Sequence, residues 1–123
     1  MNKSPQLKPL SNPELSSFSS QLSLILRSGI SALEGISIML DDASSEEEKE
    51  EPKAILNALS ENLQETGSLN EALEQTQLFP AYMTRMVRIG EETGTLDDVM
   101  AALGDHYARE DTIARTIRSA VTY

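Results

Sequence analysis

The sequence predicts an all-α protein, a six-helix bundle of antiparallel or crossed helices ending in a long C-terminal helix. Three observations carry that prediction. Apolar residues recur at spacings of three and four in successive segments, the period of a buried helical face. Gly29-x-Ser31-x-x-Glu34, Gly67-Ser68-x-x-Glu71 and Gly94-Thr95-x-x-Asp98 each place a helix-start signal directly after a glycine stop, the pattern of a tight helix-to-helix corner. No segment shows the sustained alternation or β-branched enrichment that a strand requires.

Taken in order, residues 1–12 hold two prolines and few large apolar residues and read as a flexible leader. Asn12 is expected to cap the first helix, with Pro13 at its first position, where a missing N–H costs nothing. Leu15, Phe18, Leu22 and Ile25 form its buried face, and Gly29 stops it. Ser31 and Glu34 predict a capping box for the second helix, with Leu33, Ile36 and Leu40 inward, fading over residues 41–45. The acidic run 46–51 reads as a solvated loop or first turn, its carboxylates suited to the positive end of the next helix dipole. A calcium loop is disfavoured there for want of alternating ligands and a central glycine. Pro52 is expected to open the third helix, with Ile55, Leu56, Leu59 and Leu63 buried, until Gly67 ends it. Ser68 and Glu71 predict another capping box, starting a short fourth helix with Leu69, Ala72 and Leu73 inward. Pro80 begins the fifth, whose apolar surface is Tyr82, Met83, Met86, Val87 and Ile89. The sixth follows Thr95 through Leu96, Val99, Met100, Leu103 and Tyr107, then Ile113, Ile117 and Val121. Its last part, from Asp111 onward, sets isolated apolar residues among arginines and is expected to project beyond the globule.

The chain has 123 residues, no cysteine and one histidine. That length suits one domain with a single core. Disulfides, thiolate metal sites and a multi-histidine site within one chain are excluded. The net charge of −10 argues against nucleic acid as a partner, because phosphate binding needs clustered Lys and Arg. Charge is uneven along the chain. Residues 34–111 hold nineteen acids and five bases, a balance of −14, whereas the flanks hold Glu14 against Lys3, Lys8, Arg27, Arg115 and Arg118, a balance of +4.

The residues offer little for catalysis. His106 sits between Asp105 and Tyr107 and reads as a structural histidine. Glu91 and Glu92 are adjacent, so on a helix they diverge by about 100° and cannot act as a close carboxylate pair. There is no phosphate loop with lysine, no HExxH and no GxSxG. Met83, Met86 and Met100 read as core filling before they read as an adaptable binding surface.

The most informative stretch is MVRIGEETGTLDD from Met86. Gly94 supplies a left-handed residue to end the fifth helix, and Thr95 with Asp98 predicts a capping box for the sixth. Gly90, inside a helix, costs about 1 kcal/mol relative to alanine, so it implies either close approach of another helix or a backbone break. Glu91 is expected at an exposed helix end, where its loss would affect self-association more than folding.

This stretch joins others spread over about 100 residues: FSSQLSLILRSGISALEGI from Phe18, and LQETGSLNEALEQTQLFPAYMTRMVRIGEETGTLDDVMAALGDHY from Leu63. A phenylalanine-led first helix with a glycine stop falls on Phe18 and Gly29. A Gly-x-Leu-x-x-Ala-Leu corner falls on Gly67, Ala72 and Leu73, and a Phe-Pro start on Phe79 and Pro80. Gly-Glu-x-x-Gly-x-Leu-Asp falls on Gly90, Glu91, Gly94, Leu96 and Asp97. In this order and spacing the pieces resemble the cytoplasmic domain of type II secretion system protein F, found also in the inner-membrane platform proteins of type IV pilus assembly. The leader and the acidic segment 44–51 lie outside the likeness.

The resemblance implies a multi-pass parent at the cytoplasmic face of the bacterial inner membrane, with a six-helix cytoplasmic domain over residues 13–111 and an extension, 112–123, leading toward a membrane span. Arg115 and Arg118 then fit the positive charge that collects on the cytoplasmic side of spans. It implies a non-catalytic scaffold linking the assembly ATPase and other platform proteins to polymerisation of pilins or pseudopilins. It further implies a homodimer and a divalent cation near the dimer interface, for which Glu91 is the first acid to test. Arg85, Arg88 and the Glu91 corner are the expected contact residues. The alternative is a free-standing soluble regulatory or adaptor bundle that binds a partner helix in a groove.

Overall fold

A computed structural model describes residues 7–44 and 50–122. Among these the chain forms six helices and no strand: α1 (Asn12–Arg27), α2 (Ala32–Ser44), α3 (Glu50–Thr66), α4 (Leu69–Thr76), α5 (Ala81–Thr93) and α6 (Leu96–Thr122). The all-α six-helix expectation holds. Residues 45–49 of the acidic run and residues 1–6 of the expected leader lie outside the described residues.

Each helix packs on its successor, and α1 returns to lie along α6 in the most extensive of the helix contacts. The bundle is therefore a closed ring, with a core in which Leu15, Leu22, Ile36, Leu59, Leu73 and Met83 are fully buried. The α1–α6 seam is made by small side chains. The Ser16 hydroxyl donates to the Gly104 carbonyl at 2.8 Å, and the Ser23 hydroxyl donates to the Asp97 carbonyl at 3.0 Å. A Cβ on Gly104 would collide with the Ser20 hydroxyl and lie 3.3 Å from the Ser20 backbone nitrogen. These contacts join early α1 to mid α6 and late α1 to early α6, so the two helices run antiparallel. Serines at 16, 19, 20 and 23 recur at three- and four-residue spacing and let the two backbones approach closely, in the way small residues do at helix interfaces. The apolar periodicity did not register this polar stripe.

Helix starts differ from expectation in detail. Ser11, not Asn12, caps α1: its hydroxyl accepts from Glu14 N at 3.3 Å while the Glu14 carboxylate accepts from Ser11 N at 2.9 Å. The acid that completes a capping box stands three residues after Ser11, whereas Leu15 stands three after Asn12. Pro13 remains in the first turn, where it forfeits no helical hydrogen bond. Helix α3 opens at Glu50, two residues before Pro52, and α2 runs to Ser44. Of the expected flexible leader, residues 7–10 are tied down. Leu10 N donates to the Leu78 carbonyl at 3.1 Å, and Leu7 and Leu10 pack partly buried against the core.

The predicted faces of α3 and α4 are buried as expected. On α2, Leu33 faces solvent and Met39 takes its place in the core beside Ile36. On α5 the inward side is Met83, Thr84 and Val87, while Tyr82 and Ile89 are 43% and 46% exposed. Phe18 on α1 meets Phe79 before α5 with ring centroids 5.5 Å apart, so two residues distant in sequence cover one end of the core together, with Pro80 holding the extended backbone that leads into α5.

Candidate functional site

The stretch from Arg85 to Asp98 forms the end of α5, a tight corner and the start of α6. Gly94 adopts φ 71°, ψ 27°, the left-handed conformation that glycine accepts without a Cβ clash. Gly94 N and Thr95 N both donate to the Gly90 carbonyl, the latter at 2.9 Å, a left-handed closure in which one carbonyl takes both N–H groups that follow the helix. Gly90 is buried and helical, so the backbone does not break there. A Cβ at Gly90 would lie 3.0 Å from Val99 Cγ2 and 3.1 Å from Leu96 Cα. The glycine exists because α6 turns back across α5 at that point. One residue thus supplies both the closing acceptor and the space for the next helix.

Glu91 does something the sequence did not reveal. Its Oε2 accepts from Leu69 N at 2.8 Å, and its Oε1 accepts from Asn70 N at 2.9 Å and from the Ser68 hydroxyl at 3.2 Å. The carboxylate therefore crosses from α5 to cap the N-terminus of α4, where free N–H groups and the helix dipole favour negative charge. Ser68 itself accepts from Glu71 N at 3.3 Å. The expected Ser68–Glu71 box is half formed: Ser68 N donates to the Thr66 hydroxyl at 3.2 Å instead of to Glu71, and Glu91 from another helix takes the next two N–H groups. Glu91 is exposed near the end of α5, as expected, and this geometry also gives it a direct share in the fold.

The Thr95–Asp98 box does not form either. The Thr95 hydroxyl pairs with the Thr93 hydroxyl at 2.7 Å, and Asp98 Oδ1 accepts from Arg27 at 3.2 Å, joining α6 to α1. Asp98 N turns instead to Asp97 Oδ1 at 2.9 Å. Leu96 packs partly buried against the core, and the Asp97 carbonyl takes the Ser23 hydroxyl. Arg85 and Arg88 stand exposed on α5. The structure thus brings Gly90, Gly94, Leu96 and Asp97 into one corner, sends Glu91 to α4, and leaves Arg85 and Arg88 facing solvent. Gly29 and Gly67 end α1 and α3 at φ 86° and 70°.

His106 lies between Tyr82 and Tyr107, with ring centroids 4.8 Å from each. The Tyr107 hydroxyl is buried without a hydrogen-bond partner. Burial foremost, then Tyr82 and Glu110, raises its pKa above the ordinary tyrosine value. Such a ring cluster packs α5 on α6 and presents no base aimed at a nucleophile. Both Glu91 oxygens are engaged by N–H and O–H donors, three in all. Among the described residues no group of three or more acids and histidines could hold a metal ion. No helix among them is long and apolar enough to cross a membrane.

Comparison with known proteins agrees with the corner's signature. The profile of the family described as type II secretion system (T2SS), protein F, matches residues 18–123. The type II secretion system protein F of Vibrio cholerae serotype O1 is 31% identical over 104 residues, covering 85% of this chain and 24% of that protein. The type IV pilus assembly protein PilC of Thermus thermophilus is 34% identical over 106 residues, covering 85% of this chain and 25% of that protein. The protein transport protein HofC homolog of Escherichia coli is 26% identical over 104 residues, covering 84% and 25% respectively. The chain spans about a quarter of the length of these relatives.

Proposed function

The chain belongs to the type II secretion system protein F family, and on that premise we propose that it serves as a non-catalytic assembly-platform domain of a secretion or type IV pilus machine. The observation that carries this reading is the family match running from Phe18 through all six helices, including the corner whose glycines and acid have identifiable structural tasks. In this reading the domain stands at the cytoplasmic face of the bacterial inner membrane as part of a multi-pass protein. It links the assembly ATPase and neighbouring platform proteins to polymerisation of pilins or pseudopilins, and it works as a homodimer. Two features support a contact role and not a chemical one. Glu91 and Asp98 of the corner are spent on capping and on an interhelical pair, while Arg85, Arg88, Tyr82 and Ile89 on α5 offer the mixture of cation, aromatic and aliphatic surface that partner proteins bury.

The test is site-specific photocrosslinking in membranes carrying the parent protein, with the probe at Arg85 or Arg88. Crosslinks to the assembly ATPase or to another platform protein are expected. Full secretion and piliation after deletion of residues 13–111, with no crosslink at either position, would overturn the reading.

A further inference from the structure

We propose that the solvent face of α5 docks an acidic amphipathic segment of a partner protein, with two carboxylates against Arg85 and Arg88 and an apolar side chain between Tyr82 and Ile89. The inference rests on the platform reading above and supplies the chemistry of what this helix meets. Tyr82, Arg85 and Ile89 follow one another at intervals of three and four, so they share one face. It lies opposite the buried Met83, Val87 and Gly90. From Tyr82 to Ile89 the face runs about 10 Å, and its two apolar ends are each nearly half exposed.

The charges on this face stand unused. The chain holds 20 acids against 10 bases, so a surface arginine has carboxylates in excess around it. Arg27 takes Asp98, and Arg115 takes Asp111 at 3.0 Å. Among the described residues neither Arg85 nor Arg88 makes an ion pair, although Glu92 stands one turn after Arg88, at a spacing that permits one. A third cation joins them from α6. The Tyr82 ring lies 4.8 Å from the His106 ring, and Arg109, exposed and likewise without an ion pair among the described residues, follows His106 by one turn.

A guanidinium fork accepts a carboxylate through two parallel hydrogen bonds. Arginines three apart on a helix set their Cβ atoms about 5–6 Å from each other, the separation of two carboxylates one turn apart on a partner helix. Apolar flanks that exclude water make such pairs stronger than an exposed one like Arg27–Asp98. An extended polyanion, whether nucleic acid or an anionic lipid surface, fits poorly. The net charge of −10 repels it, and Glu91 and Glu92 end the same helix. A short segment with paired carboxylates meets the cations without meeting those acids.

Photocrosslinking in membranes carrying the parent protein tests this, with a benzophenone amino acid at Tyr82 or at Ile89 so that both arginines stay in place. The crosslinked peptide, read by mass spectrometry, is expected to come from a different protein and to carry paired Asp or Glu residues beside an aliphatic one. Arg85→Glu with Arg88→Glu should lower the yield about tenfold or more. Arg85→Lys with Arg88→Lys should lower it less, because charge is kept and the fork is lost, and added salt should weaken the native contact. Changing the partner's paired acids to arginine should restore the yield in the doubly reversed chain, a rescue that a damaged fold would not give. Both arginines are exposed, so the melting temperature of the purified 123-residue variant should hold. A crosslink insensitive to charge reversal, a peptide without acids, a peptide from a second copy of this chain, or no crosslink at all overturns the inference. The platform reading stands through each of these so long as deletion of residues 13–111 abolishes secretion or piliation.

Discussion

The corners that start α4 and α6 carry the same sequence device and use it differently. Each has a left-handed glycine, a hydroxyl residue and an acid three positions on. At α4 the hydroxyl caps as expected, but the carboxylate that closes the site comes from Glu91, more than twenty residues later. At α6 the hydroxyl turns to Thr93, and the acid leaves the corner to reach Arg27. A local motif therefore identifies where a helix begins. The partner of each polar group is decided by which helix the fold brings alongside.

Substitutions can break that contrast at several depths. The largest effect is expected for Gly90→Val. Its side chain would enter the space held by Val99 and by the Leu96 backbone, and overpacking of this kind costs about 3 kcal/mol. Urea unfolding should show it as a lower midpoint with little change in slope. Gly94→Val should follow at about 2 kcal/mol, since a β-branched residue must hold φ near 71°. An unchanged melting temperature would show that α5 can close in another way.

Glu91→Ala should cost about 2 kcal/mol, because it leaves two α4 N–H groups and the Ser68 hydroxyl without their acceptor. Hydrogen exchange at Leu69 and Asn70 should rise specifically. Equal exchange in the variant would show that Glu91 does not hold the start of α4. A double-mutant cycle of Ser68→Ala with Glu91→Ala should show coupling, while Thr95→Ala with Asp98→Ala should be additive, because Thr95 and Asp98 share no bond. The smallest effect belongs to Asp98→Ala alone. Its pair with Arg27 is exposed on both sides, and such pairs contribute about 0.5 kcal/mol or less.

What was legible in the sequence follows the same division. Helix number, the glycine corners and the buried faces of α3 and α4 were readable because each depends on residues within one or two turns. Asn12 is the expected cap because Pro13 follows it, whereas the capping box that forms requires Ser11, three residues before Glu14. Leu33 is expected inside because it shares the three- and four-residue spacing of Ile36 and Leu40, yet it is exposed while Met39 is buried. The Glu91 cap was not readable. Nothing in a linear chain says that the end of α5 will lie over the start of α4. Ser16, Ser23 and Gly104 were missed because a search for apolar periodicity passes over a seam made of hydroxyls and a glycine.

That seam also bears on how the chain reaches its native state. Ser16 and Gly104 are 88 positions apart, and joining them in an otherwise open chain costs on the order of 4 kcal/mol of loop-closure entropy. The other helix contacts link neighbours in sequence and close short loops one after another. The cheapest route is to form the corners first and shut the ring last, with α1 and α6 meeting as the final step. The most extensive contact in the molecule then belongs to its latest event, so a fragment lacking either helix would keep its remaining corners and lose the cooperativity that makes them one unit.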